Sequence, residues 1–171
     1  MRTLLATCSA MLLFCVATAS AQQGWTEYRP SGAPYRVEMP GRPMTKTEAV
    51  DTGKGSVDMI MAVVDLGERS FLAVYADYPD SAAKGVSPEQ GLINAREGMA
   101  KHGKLLSDRA LRVSGYPARE YVVEQPDGYV IVSRSVQAGN RLYQMLAIGK
   151  GGSADDPLTR RFLDSFSISP S

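Results

Sequence analysis

Apart from two helical segments, the apolar stretches after residue 24 are short and split by turn residues. Most are followed within a residue or two by glycine, proline, asparagine or aspartate. That punctuation restricts the chain to strands joined by tight turns. The pattern predicts strands over 25–28, 35–39, 45–50, 57–66, 71–78, 105–113, 119–124, 129–137 and 142–148, with Phe166 and Ile168 in a short closing strand. Gly53-Lys54-Gly55-Ser56 reads as the tip of the hairpin whose return strand is 57–66. Its likeness to the end of a phosphate loop lacks the earlier glycine and the strand-to-helix setting. Strands in hairpin succession form an antiparallel sheet.

Two helices are expected beside it. Ser87 caps the first, Pro88 takes the first helical position, and Gln90 completes a Ser-x-x-Gln capping box. Leu92, Ala95 and Met99 form its apolar stripe, Glu97 and Lys101 pair at i,i+4, and Gly103 ends it by accepting a positive φ. The second starts at Asp156-Pro157 with Leu158 and Phe162 on one face. Helices with one apolar stripe must bury it on the sheet, so the fold class is α+β: a central antiparallel β-sheet packed by helices as an α/β/α sandwich.

Residues 1–21 have the tripartite form of a cleavable export signal. Arg2 is followed by an uncharged apolar run and then by the small-x-small end Ala19-Ser20-Ala21. The run is too short to span a bilayer, which needs about 20 apolar residues. The expectation is a single domain over 22–171, periplasmic or secreted, with no transmembrane segment once the signal is removed. Both cysteines, Cys8 and Cys15, fall inside the signal, so the remainder has no thiol chemistry. With Arg2 gone, 18 basic residues face 18 acidic ones. A neutral chain without basic clusters argues against nucleic acid and anionic membrane surfaces as partners.

Few residues can carry chemistry. His102, the sole histidine, sits where the first helix ends and is placed to face the helix C-terminus when charged. With one histidine, the sequence supplies neither a zinc set nor a Ser-His-Asp triad presented on a Gly-x-Ser-x-Gly elbow. No cofactor or metal is expected. Among carboxylates, Asp155-Asp156 reads as a helix cap, and Asp77 and Asp80 bracket a strand-ending turn that lacks a calcium-loop frame. Carboxylate pairs distant in sequence leave a small hydrolase as the alternative function. Its mark would be a pocket with two convergent carboxylates of raised pKa.

The most individual segment is Gly115-Tyr116-Pro117-Ala118-Arg119-Glu120. A three-residue Pro126-Asp127-Gly128 loop pairs Gln125 with Tyr129, and counting back sets Glu120 opposite Arg134. A two-residue Gly139-Asn140 loop sets Arg134 opposite Met145, with Tyr143 one same-face step away. Tyr116, Glu120, Arg134 and Tyr143 are therefore the candidate polar cluster. It is read first as a buried ion pair that fixes strand register, with a binding pocket as the second reading.

These residues also carry a resemblance. Trp25, Tyr28-Arg29-Pro30 and Tyr35-Arg36-Val37-Glu38-Met39-Pro40-Gly41-Arg42-Pro43 resemble the N-terminal signature of small exported bacterial domains of the PsbP-like type. Gly115 to Glu120, Arg141-Leu142-Tyr143-Gln144-Met145 and Arg161-Phe162-Leu163-Asp164-Ser165-Phe166 continue the likeness over nearly all of 22–171. The family is similar to the photosystem II oxygen-evolving subunit and to a Ran-binding release factor, which share an antiparallel sheet between helices. The resemblance implies a non-catalytic accessory or binding domain whose partner is an envelope protein or a small ligand. It carries no site across, because no residue matches a metal-binding or Ran-binding motif of the family.

Overall fold

The computed structural model describes residues 24–51 and 55–169. The export segment expected over 1–21 and positions 53 and 54 of the hairpin tip lie outside the described residues. In chain order the elements are β1 (Thr26–Tyr28), β2 (Tyr35–Met39), β3 (Met44–Asp51), β4 (Ser56–Asp65), β5 (Arg69–Asp77), α1 (Asp80–Ala83) and α2 (Pro88–Ala100). They continue with β6 (Lys104–Val113), β7 (Tyr116–Glu124), β8 (Tyr129–Ala138), β9 (Arg141–Lys150), α3 (Pro157–Ser165) and β10 (Ser167–Ile168).

Seven strands form one antiparallel sheet in the order β3-β4-β5-β9-β8-β7-β6, and β1, β2 and β10 form a small second sheet. Turn length sets the registers. The Gln125 N–H donates to the Tyr129 carbonyl at 2.7 Å, so the three-residue loop places Glu124 opposite Val130 and Glu120 opposite Arg134. The two-residue Gly139-Asn140 turn places Ala138 opposite Arg141 and Arg134 opposite Met145.

The core lies on one face of the large sheet. Phe71, Ala73, Val132, Val136, Tyr143 and Met145 are buried there beneath Tyr35, Val37 and Met39 of β2 and Phe162, Leu163 and Phe166. In β2 the alternation is strict: Tyr35, Val37 and Met39 are buried while Arg36 is exposed. Phe162 anchors α3 through an edge-on contact with Phe71, centroids 5.3 Å apart. On the opposite face α2 packs against β7 and β8. It covers the buried polar set Tyr121, Ser133, Ser135 and Gln144, in which the Tyr121 and Ser135 hydroxyls lie 3.2 Å apart. The architecture is therefore the expected α+β arrangement, with helices on both faces of an antiparallel sheet.

Several local expectations change. Ser87 Oγ accepts from the Gln90 N–H, but the Gln90 side chain donates to Asn94 Oδ1 instead of returning to the cap, so the box is half formed. Glu97 pairs with Arg96 and not with Lys101. Helix α2 ends at Ala100, and His102 lies in the turn after it. Gly103 does not take a positive φ. It is required for space, because a Cβ there would sit 2.6 Å from the Glu124 carbonyl. In α3 the buried stripe is Thr159, Phe162 and Leu163, while Leu158 is exposed. Positions i, i+3 and i+4 from Thr159 centre the stripe, and Leu158 falls at its rim in the first turn. The strand-ending turn after Asp77 also contains α1, a single helical turn.

Candidate binding site

Glu120 and Arg134 meet as the register requires, 4% and 6% exposed. Arg134 Nε and Nη2 donate to Glu120 Oε2 at 2.8 and 2.6 Å. Arg134 Nη1 donates to the Leu163 carbonyl at the end of α3 (2.8 Å), and Nη2 also reaches Asp164 Oδ1 (2.7 Å). On the other side Arg109 Nη2 donates to Glu120 Oε1 at 2.6 Å. Arg160 of α3 lies 3.2 Å from the same oxygen. One carboxylate thus holds guanidinium groups from β6, β8 and α3. Burial alone would raise its pKa, but the hydrogen bonds from Arg109 and Arg134 and the charges of Arg134 and Arg160 outweigh this and hold it below the usual value.

Arg109 was legible in principle. Val113 pairs with Tyr116 across the two-residue turn Ser114-Gly115, whose φ values are 50° and 84°, the left-handed pair that such hairpins need. Counting back from that turn sets Arg109 opposite Glu120.

The two tyrosines of the candidate cluster lie apart from this network. Tyr143 is buried among Tyr35, Tyr75 and Phe166, with centroids 5.5, 6.4 and 5.6 Å away. Its pKa is raised, by burial first, against the pull of Arg141. Tyr116 is exposed at the start of β7. No hydrogen bond, ion pair or ring contact joins either tyrosine to Glu120 or Arg134 among the described residues. The acidic candidates are partnered. Asp77 receives two bonds of 2.5 Å from Arg141, and Asp80 accepts from Asn140. Asp156 caps α3 by accepting from the Leu158 and Thr159 N–H groups, both at 3.1 Å.

A cleft of about 540 Å³ opens elsewhere, between α1, the first turns of α2 and the β8–β9 turn. Ala82, Ala83, Val86, Ala95 and Leu142 give it apolar walls, while Tyr78, Asn94, Gln137 and Asn140 supply polar groups. Burial raises the Tyr78 pKa, so its hydroxyl stays protonated near neutrality. None of the lining side chains is acidic, basic, histidine or cysteine. The α2 backbone comes close to Gln137 at Gly91, where a Cβ would lie 3.2 Å from Gln137 Oε1. The Gln137 amide is oriented by donating to the Gly139 carbonyl at 2.8 Å. No sequence motif marked this site. Its residues are neutral, and only packing brings them together.

No family model and no curated protein matches the sequence. Among solved structures, the solution structure of cyanobacterial PsbP (CyanoP) from Synechocystis sp. PCC 6803 aligns over 96% of this chain and 99% of that one. The TM-score is 0.55 and the identity 13%. The chain has the PsbP-like fold. A protein of unknown function from Pseudomonas aeruginosa, PA94, described as a putative regulator, covers 80% of this chain at 11% identity with a TM-score of 0.35, too low to place the two in one fold. At such identities the PsbP-like likeness fixes architecture and leaves activity to the site itself. Within this PsbP-like sheet the charged network ties α3 to the strands on the core face. The neutral cleft lies where α1 and α2 meet the β8–β9 turn.

Proposed function

We propose that the protein is an exported, non-catalytic accessory domain that binds a short uncharged peptide-like segment of an envelope partner in the α1–α2 cleft. One observation carries the reading: a cleft of about 540 Å³, within the size range of ligand sites, whose polar groups are amides and hydroxyls without a formal charge. Amide side chains match the donors and acceptors of a peptide group, and the alanine, valine and leucine walls suit small apolar side chains. Export rests on the signal-like form of residues 1–21.

The carboxylate-hydrolase alternative finds less support. The cleft walls carry no carboxylate, and Glu120, Asp108 and Asp156 are all held below their ordinary pKa values by arginines, the opposite of a general acid. Affinity capture from the cell envelope, with the tagged protein and with Asn94→Trp, tests the proposal. Asn94 is exposed on α2, so the indole should obstruct the cleft without unfolding the helix. A partner retained by the wild type and lost by the variant is the expected result. Equal capture by both would refute the cleft as the site.

A further inference from the structure

The outer strands of the seven-stranded sheet, β3 and β6, are finished differently. In β6 the pairing with β7 shifts between Leu105 and Ser107, a bulge of the kind that turns an edge away from foreign strands. β3 has no bulge, although it carries exposed Lys46 and Glu48. It pairs with β4 residue for residue from Met44 to Asp51, every one of its residues is exposed, and β4 is its only strand neighbour among the described residues. Alternation puts Met44, Lys46, Glu48 and Val50 on one face and Thr45, Thr47 and Ala49 on the other.

We propose that β3 pairs antiparallel with β3 of a second copy of this chain, about a two-fold axis at Thr47, joining two sheets into one. Reflection about Thr47 exchanges a lysine with a glutamate and one apolar residue with another, so the strand is complementary to itself in charge. With the axis at Thr47, Lys46 of each copy faces Glu48 of the other, Met44 faces Val50, Thr45 faces Ala49, and Thr47 faces itself. The pairing forms two cross-strand ion pairs and covers two apolar residues that are 73% and 38% exposed. It is also specific in register. Moving the axis by one residue, onto Lys46 or onto Glu48, sets two lysines or two glutamates against each other. The exposed Lys46–Glu48 ion pair within one strand is exchanged for the pairs between copies, at little loss because exposed pairs contribute little. Such an interface is isologous, as a two-fold dimer requires.

Sedimentation velocity over a concentration series, with wild type, Lys46→Glu, Glu48→Lys and the two single variants mixed, is the test. The wild type should approach twice the monomer mass. Each single change turns both symmetry-related pairs from attractive to repulsive and should weaken association about tenfold or more. The mixture should associate again, because one strand then carries two carboxylates and the other two ammonium groups. Thermal melts recorded at concentrations low enough to keep every variant monomeric should coincide, since all the altered positions are exposed. A wild type that stays monomeric would overturn the proposal, even if it added a foreign strand at this edge. So would single variants that associate as well as the wild type, or a mixture that stays monomeric.

Discussion

Replacing Glu120 by glutamine keeps the side chain's shape and removes the anion that three guanidinium groups share. One of those arginines has other recourse: the Arg109 side chain is 62% exposed and can turn toward water, whereas Arg160 Nε and Nη2 are buried. Arg134, 7% exposed, keeps the Leu163 carbonyl and Asp164, but its bonds of 2.8 and 2.6 Å then go to a neutral amide oxygen, and the amide NH2 is turned toward Arg109 and Arg160. Breaking a buried pair from one side costs about 3–5 kcal/mol, and the remaining Asp164 contact places Glu120→Gln near the lower end, about 3–4 kcal/mol. Arg134→Met leaves Glu120 with Arg109 and Arg160, so its cost is smaller, about 2–3 kcal/mol. The double change should cost less than the sum of the two by about 1–3 kcal/mol. Against a total stability of about 5–15 kcal/mol, these are large effects. Urea denaturation at pH 7 with m-values checked reads them directly. Additive effects, or single changes within about 0.5 kcal/mol of the wild type, would refute the assignment of this pair to strand register.

The same network predicts a pH dependence. Glu120, Asp108 and Asp156 have pKa values below their ordinary ones. Their stabilisation is complete above the unfolded carboxylate pKa of about 4 and is lost as pH falls through the folded values. Denaturation midpoints should therefore drop below about pH 4, and the gap between wild type and Glu120→Gln should close there; a gap independent of pH would contradict this. Phe162→Ala should cost about 3–5 kcal/mol, because the ring is fully buried against Phe71; a loss under about 1 kcal/mol by calorimetry would show that α3 is not docked as described. Metal chelators should leave the thermal melt unchanged, since Asp77 and Asp80 are held by Arg141 and Asn140; a melting temperature lowered by many degrees would reveal an oxygen-ligand site.

Local signals made much of the fold legible. Turn length alone sets the β7–β8 and β8–β9 registers and so places Glu120 opposite Arg134 without reference to packing. Ser87-Pro88 and Asp156-Pro157 marked two helix starts through the same capping chemistry. Arg160 and the Leu163 carbonyl were not legible, because they reach Glu120 and Arg134 only when α3 docks on the sheet. At Gly103 the helix-stop pattern implies a backbone role, whereas the contact with Glu124 imposes a steric one. α1, four residues long, has too short a pattern to register. The cleft was invisible for a related reason. Asn94, Gln137 and Asn140 carry no charge and no motif, and Gly91 marks their approach only once the helix is in place.

The central claim is that the α1–α2 cleft receives an uncharged peptide-like ligand. Its most direct test is an amide NMR titration of the protein with terminally blocked uncharged tripeptides, beside the same tripeptides carrying glutamate or lysine. Shifts that saturate and cluster at Tyr78, Gly91, Asn94, Gln137 and Leu142, stronger for the uncharged series and abolished by Asn94→Trp, are predicted. Shifts centred on Glu120 and Arg134, equal responses to charged and uncharged peptides, or no saturable shift in the cleft would contradict it.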